Sequence, residues 1–272
     1  VKRVCGIGDE AAPGLADQLR IHADLGLPAI ELRTVAGKWL HDLSDAEIKT
    51  LATEIEAASL TVPVVDTPLG GWSVTVGGDF DTELRLLDRY ATVAQAVGCD
   101  WLRVMSYPND GRPEAQWRAE ALRRMARLVQ LASDLGVSLL HENCHGWASQ
   151  SAETTLEMLA ETGGQLGLIF DVGNGLAYGY ESVPFLKAVL PHVQHVHVKD
   201  GVRGSTVAFG LPGEGEAGLA DCVKVLDEAG YDGWYSMEPH VAHSPHLGVT
   251  GTPEELEAGY RACVEKFRWL ID

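Results

Sequence analysis

The chain has 272 residues, of which 46% are hydrophobic, and carries a formal net charge of −18. That length and apolar content allow a large buried core. The acidic balance argues against a nucleic-acid partner or an anionic membrane surface, since tracking phosphates needs an exposed basic face. A small-molecule ligand is the expectation. No apolar run reaches the roughly 18 to 20 residues needed to span a bilayer, and the N-terminus lacks the charged-then-apolar pattern of a signal peptide. The chain opens at Val1 without Met, which leaves room for a segment upstream. Five scattered cysteines, with no C-x-x-C pair, read as reduced thiols of a cytoplasmic protein, and Cys144 as a buried or incidental thiol.

In chain order, apolar runs that read as strands occur at Arg3 to Ile7, Ala29 to Leu32, Leu60 to Val65, Trp101 to Met105, Val137 to Glu142, Leu166 to Asp171, Val193 to Lys199 and Trp234 to Glu238. Segments with helical spacing separate them, such as Leu84, Leu87, Tyr90, Ala91, Ala94 and Val97, then Leu122, Met125, Leu128, Val129 and Ala132. Capping-box patterns at Ser44 with Glu47, and at Thr252 with Glu255 after Pro253, predict helix starts. Gly26, Gly98, Gly136 and Gly230 stand where helices should stop. Eight strands alternating with helices, and no long linker, predict one α/β domain over 1–272, a (β/α)8 TIM barrel; a doubly wound sheet is the rival.

Four of these runs end on a residue able to bind a hard divalent cation, or hold one near their end: Glu142, Asp171, His197 and Glu238. Their spacings of 29, 26 and 41 residues are about one strand-helix unit each, so a barrel brings all four to one rim. Strand alternation points Glu142, Asp171 and His197 inward, with Leu140 and Ile169 as a dry floor. Three carboxylates and one imidazole suit Mn²⁺, with Mg²⁺ or Co²⁺ as alternatives, better than structural zinc. Such a cation, bridging a carbonyl oxygen and its neighbouring hydroxyl, makes the adjacent C–H acidic by holding the enediolate. Two carboxylates on opposite faces invert a centre; transfer on one face interconverts aldose and ketose.

The wording around these residues is "HENCHG" at Glu142, "IFDVGN" at Asp171, "HVHVKD" at His197, "GEGE" after the seventh strand and "SMEPH" at Glu238. It resembles the sugar isomerase/epimerase superfamily of xylose-isomerase-like TIM barrels, which includes ketose 3-epimerases and hydroxypyruvate isomerases. The resemblance runs over nearly the whole chain by strand order, with its specific motifs between residues 141 and 240. It implies a divalent-metal-dependent isomerase or epimerase of a sugar or sugar acid, with Glu142, Asp171, His197 and Glu238 as metal ligands. It also implies Glu142 and Glu238 as the acid/base pair and Arg203 as a substrate contact. Two positions depart from the epimerase pattern: Asn174 stands where many carry histidine, and Ala148 where they carry glutamate. A dehydratase of keto-cyclitols on the same barrel is an alternative, as is a non-catalytic barrel binding a sugar or a partner. A relative of the DNA-repair endonucleases would need more histidine ligands and a basic face.

Around this set, His145, Asn174, Lys199, Arg203 and His240 are the candidate substrate contacts, and a homodimer is possible though no apolar stripe marks its interface. His195 reads as a satisfied core histidine. Lys199 reads either as a partner of an enediolate oxygen or as a partner of a carboxylate. Glu31 and Arg103 are expected to pair with each other inside the barrel. Trp72, Trp147, Tyr178 and Tyr180 form an apolar wall or simply pack. His240, His243 and His246 repeat at three-residue intervals, but Pro239 and Pro245 give them no common face, so a second metal is not expected. The stretch from Gly201 to Gly218 holds a phosphate or acts as a lid. Gly6, Gly8 and Ala11 fit a dinucleotide fingerprint, yet Asp9 and Glu10 would repel the pyrophosphate.

Overall fold

The computed structural model describes residues 2–244 and 249–271. Seven strands pair in parallel in the order Arg3–Gly6, Trp234–Met237, Val193–Val198, Leu166–Asp171, Ser138–Gly146, Trp101–Ser106 and Val65–Asp66. The remaining gap is filled by the extended segment 29–32. It is joined on one side through Ile7 with Glu31, and on the other through Ala29 with Thr61 and Leu32 with Val65. The ring is thereby closed, as a (β/α)8 barrel requires and a doubly wound sheet does not.

Two staves are weaker than the sequence suggests. The run from Leu60 yields only the strand Val65–Asp66, and segment 29–32 makes isolated bridges rather than a ladder. Pro28 and Pro63 bracket this part of the barrel, and each lacks the backbone N–H a ladder needs. The strand Ser138–Gly146 runs four residues past Glu142 instead of ending there. A register shift lets Ser106 pair with Gly146, whose φ of +108° and closeness to the Ser106 backbone exclude any side chain.

Helices form where spacing and caps agree. Ser44 and Glu47 make both bonds of a capping box, at 3.3 and 2.7 Å, and Thr252 with Glu255 makes the same pair at 3.3 and 2.8 Å. The helix Phe80–Val97 buries Leu87, Tyr90, Ala91 and Ala94 on one face and stops at Gly98, which adopts φ +68°. Two short helices, Gly8–Ala11 and Asn174–Tyr178, are additions to the regular alternation and follow directly on barrel strands. No described helix is long and apolar enough to cross a membrane.

Inside the ring, Val64, Leu140 and Ile169 form a small apolar floor, with Trp101 against it. Above that floor stand the buried polar residues Glu31, Arg103, Glu142, Asp171 and His197. The glycine-rich loop after the seventh strand is organised from within. Buried Asp200 accepts the backbone N–H groups of Gly201, Gly213, Gly215 and Ala217 at 2.8 to 3.1 Å. Four of the N–H donors that a phosphate would use are thus already on a carboxylate, which speaks against the reading of that loop as a phosphate cradle. Replacing Asp200 with Ala strands four N–H groups and should lower unfolding stability by roughly 2–4 kcal/mol in urea titration, with Asp200→Asn intermediate.

Candidate metal centre and its cavity

Strand register assembles the four predicted residues. Asp171 lies directly opposite His197, and the Glu238 N–H bonds to the Val198 carbonyl at 3.1 Å, which continues the ladder one residue past Met237. All four side chains are buried, and one ligand atom from each lies within 4.8 Å of the others. From His197 Nδ1 the distances are 3.3 Å to Glu238 Oε2, 3.8 Å to Glu142 Oε1 and 4.0 Å to Asp171 Oδ2. Ligands about 2.1 Å from a shared ion stand roughly 3 to 4 Å apart, so the spacing fits one cation.

The imidazole is the most informative member. Its Nε2 is 3.0 Å from Glu31 Oε1, while its buried Nδ1 has no hydrogen-bond partner and faces three carboxylates. A ring with one nitrogen held by a carboxylate and the other left for an ion is how a metal-binding histidine is oriented. Burial opposes a charge on His197, but Glu31, Glu142 and Glu238 outweigh it and raise its pKa well above the usual value. A divalent cation at Nδ1 would take the place of that proton.

Crowding of like charge shows in the carboxylates. Burial raises each pKa, yet Arg103 and His197 hold Glu142 down at about 2, and Lys199 and His240 hold Glu238 well below the carboxylate range. Asp171 is pushed up to about 6 by burial and by Glu238 and Glu142, in spite of Lys199. Lys199 Nζ bridges Asp171 Oδ2 at 2.8 Å and Glu238 Oε2 at 3.0 Å, and therefore pairs with carboxylates. Asn174 donates its side-chain N–H to Glu142 Oε1 at 3.0 Å and its backbone N–H to Asp171 Oδ1 at 2.8 Å, tying two of the acids together.

The other predicted contacts separate into near and far. Buried His240 lies beside Glu238, with its Nε2 3.7 Å from Oε1. Its φ of +53° is held by Glu10, which accepts the backbone N–H at 3.1 Å and meets Nδ1 at 2.9 Å. His145 is half-buried on the extended strand rather than in a loop, 5.7 Å from the Tyr178 ring, and burial lowers its pKa. Arg203 is not brought to the cluster. It is exposed, paired with Glu181 at 3.0 Å and bonded to the Tyr180 carbonyl at 3.2 Å.

Glu31 and Arg103 do not pair with each other. Glu31 holds His195 at 2.9 Å and His197 at 3.0 Å and accepts from Ser236, while Arg103 lies 3.3 Å from Asp66 and 3.2 Å from Glu142. Alternate strand residues put both in the barrel, but on different acids. Trp147 is buried with its N–H on Glu114, and the Tyr180 hydroxyl bonds to Asn143, so these two pack. Trp72 and Tyr178 stay partly exposed at the mouth and share a hydrogen bond of 3.1 Å. The side chain of His243 and all of His246 lie outside the described residues.

A cavity of about 470 Å³ opens beside the cluster, lined among others by Arg33, Trp39, Trp72, Arg103, Glu238 and His240. Arg33 escaped the sequence reading, although it continues the inward alternation Ala29, Glu31, Arg33. Its guanidinium reaches Asp9 at 2.8 Å, Glu10 at 2.7 Å and Glu238 at 2.9 Å. Asp9 and Glu10 thus face an internal cation.

Comparison with known proteins agrees with this architecture. A family model described as a xylose isomerase-like TIM barrel matches residues 19–268. The inosose dehydratase of Clostridium botulinum (strain Alaska E43 / Type E3) is 28% identical over 161 residues, covering 51% of this chain and 53% of that protein. The rhizopine catabolism protein MocC of Rhizobium meliloti is 26% identical over 181 residues, covering 57% and 55%. The chain spans about half the length of the curated relatives it matches. Among solved structures, L-ribulose 3-epimerase superposes with a TM-score of 0.78 at 16% identity, covering 100% of this chain and 95% of that one. With most of its length inside the family model and the same closed ring of strands, the chain belongs to the xylose isomerase-like TIM-barrel family.

Proposed function

We propose that this barrel is a divalent-metal-dependent isomerase or epimerase that moves a proton next to a carbonyl on a sugar or sugar-like hydroxy-ketone. The observation that carries the reading is the buried, unpartnered Nδ1 of His197 aimed at Glu142, Asp171 and Glu238. These four residues would hold the ion, with Mn²⁺ the best match to a hard donor set that includes one imidazole. Bound there, the ion supplies Lewis-acid polarisation of the hydroxy-ketone.

The chain's own groups do the rest. Glu238 borders the cavity and has low basicity as it stands, because Lys199 and His240 stabilise its charge, while Arg33 bonds its second oxygen. As base it takes a proton from carbon, and release of either ion pair raises its affinity for that proton. Glu142, bonded to Arg103 and Asn174, is the second acid/base candidate. His240, which lines the cavity, and Asn174, bonded to Glu142, would orient hydroxyl groups, and Trp72 with Tyr178 would restrict water at the mouth. His145 would extend that wall, whereas Arg203 would contact substrate only after leaving Glu181. The five buried free thiols support a cytoplasmic setting.

One observation favours elimination of water from a keto-cyclitol as a second reading. Glu238 lines the cavity and Glu142 does not, so one carboxylate has direct access to substrate, which suits one-face chemistry, whether aldose–ketose interconversion or loss of water, better than inversion between two bases. The half-length match to an inosose dehydratase points the same way.

Two outcomes test the proposal. At a hundredfold excess over its dissociation constant, Mn²⁺ adds about 2.7 kcal/mol of stability, a rise in Tm of roughly 5–10 °C for a chain of this size. Differential scanning fluorimetry should show that rise in the wild type and not in Asp171→Asn. Incubation with ketoses, aldoses and keto-cyclitols in deuterated water, followed by proton NMR, should show exchange at the carbon next to the carbonyl. Glu238→Gln should slow it by about 10²–10⁴-fold. Exchange that persists in this variant removes Glu238 as the base, and loss of water from the product selects the dehydratase.

A further inference from the structure

The proposed function leaves open whether the substrate carries a phosphate or carboxylate. The charges around the cavity bear on that directly. Its lining, among the described residues, holds two permanent cations, Arg33 and Arg103. Every nitrogen of Arg33 is engaged: Nε on Asp9, Nη2 on both Asp9 and Glu10, and Nη1 on Glu238. Arg103 has Nη1 on Glu142, Nη2 on the Thr67 carbonyl and Nε 3.3 Å from Asp66. Lys199, deeper in the site, is shared by Asp171 and Glu238.

Five carboxylates, Asp9, Glu10, Glu142, Asp171 and Glu238, thus face three cations, Arg33, Arg103 and Lys199, leaving aside Asp66, which burial pushes toward its neutral form. Glu10 is ionised, held at about 2 against burial by His240 and Arg33. A divalent cation in the adjoining cluster would bring this set to neutrality and no further. An anionic substituent would have to displace a carboxylate from its guanidinium and leave that carboxylate buried without a counter-charge. In the glycine-rich loop, the N–H groups of Gly201, Gly213, Gly215 and Ala217 are already taken by Asp200. A hydroxyl group, by contrast, donates to the carboxylates as they stand.

Resting on the proposed chemistry, we infer that the cavity takes an uncharged polyhydroxy-ketone and that Asp9 and Glu10 set this specificity by masking Arg33. Without the two acids, Arg33 would keep only Glu238 on Nη1 and would present Nε and Nη2 as a fork suited to phosphate or carboxylate. The pair follows the first barrel strand directly, on the short helix Gly8–Ala11, and has no other cation partner among the described side chains than Arg33 and the histidine His240.

The test is calorimetric binding to the Mn²⁺-loaded protein of D-fructose, L-ribulose and a keto-inositol, each compared with its monophosphate. In the wild type the uncharged member of the bound pair should win by at least tenfold, and Glu10→Gln or Asp9→Asn should narrow that ratio. Asp9→Asn leaves the Glu10–His240 contact in place, so it reads the masking of Arg33 apart from any shift of His240; circular dichroism checks both variants. Equal or tighter binding of a phosphate by the wild type overturns the inference while leaving the proposed chemistry standing. So does an unchanged ratio in both folded variants. Failure of every member of both series to bind overturns the proposed function itself.

Discussion

The mouth of this barrel depends on one constraint: a carboxylate removed from water must be given a counter-charge. Glu31, Glu142, Asp171 and Glu238 are all buried, and each is answered by a named group rather than by solvent. Glu31 answers to His195 and His197, Glu142 to Arg103, Asp171 to Lys199, and Glu238 to both Lys199 and Arg33. The network is continuous because Glu238 and His197 belong to more than one pair. Its cost is offset by fixing each side chain in one position, so that the atoms able to bind an ion converge.

Geometry of the staves explains why the convergence is possible. Parallel register places Asp171 opposite His197, and the ladder carries on to Glu238. Alternation along one strand then assigns successive residues to different tasks. His197 and Lys199 face the cluster, while Asp200, next in sequence, turns outward and gathers the N–H groups of the glycine-rich loop. Three residues of one strand end therefore serve both the site and the loop beside it.

Much of this was legible in the sequence because strand ends, helix caps and the spacing of Glu142, Asp171, His197 and Glu238 are local or periodic signals. The capping boxes at Ser44 and Thr252 and the floor of Leu140 and Ile169 belong to the same kind. Partner choice was not legible. Arg103 lies within reach of several acids once the ring closes, and it takes Asp66 and Glu142 rather than Glu31, because Glu31 is held by two histidines and Ser236. Arg33 was invisible for a related reason: a guanidinium beside Thr34 at a strand end reads as a solvated loop residue unless its distant partners at Asp9, Glu10 and Glu238 are known. The glycine-rich loop misled because glycine spacing signals available N–H groups but not what already occupies them.

The two candidate bases differ in a way that composition conceals. Glu142 has Arg103 on one oxygen and the neutral amide of Asn174, with His197 more distant at 3.8 Å, on the other, whereas Glu238 has a directly bonded cation on each. Removing the hydrogen bond of an amide hardly changes a carboxylate's charge balance, while removing an ammonium or guanidinium changes it strongly. Glu238 is thus the carboxylate whose basicity responds most to anything that draws Lys199 or Arg33 away, and it is also the one that borders the cavity. Access and tunability fall on the same residue. A symmetrical pair of bases would need Glu142 to share both properties, and its surroundings give it neither.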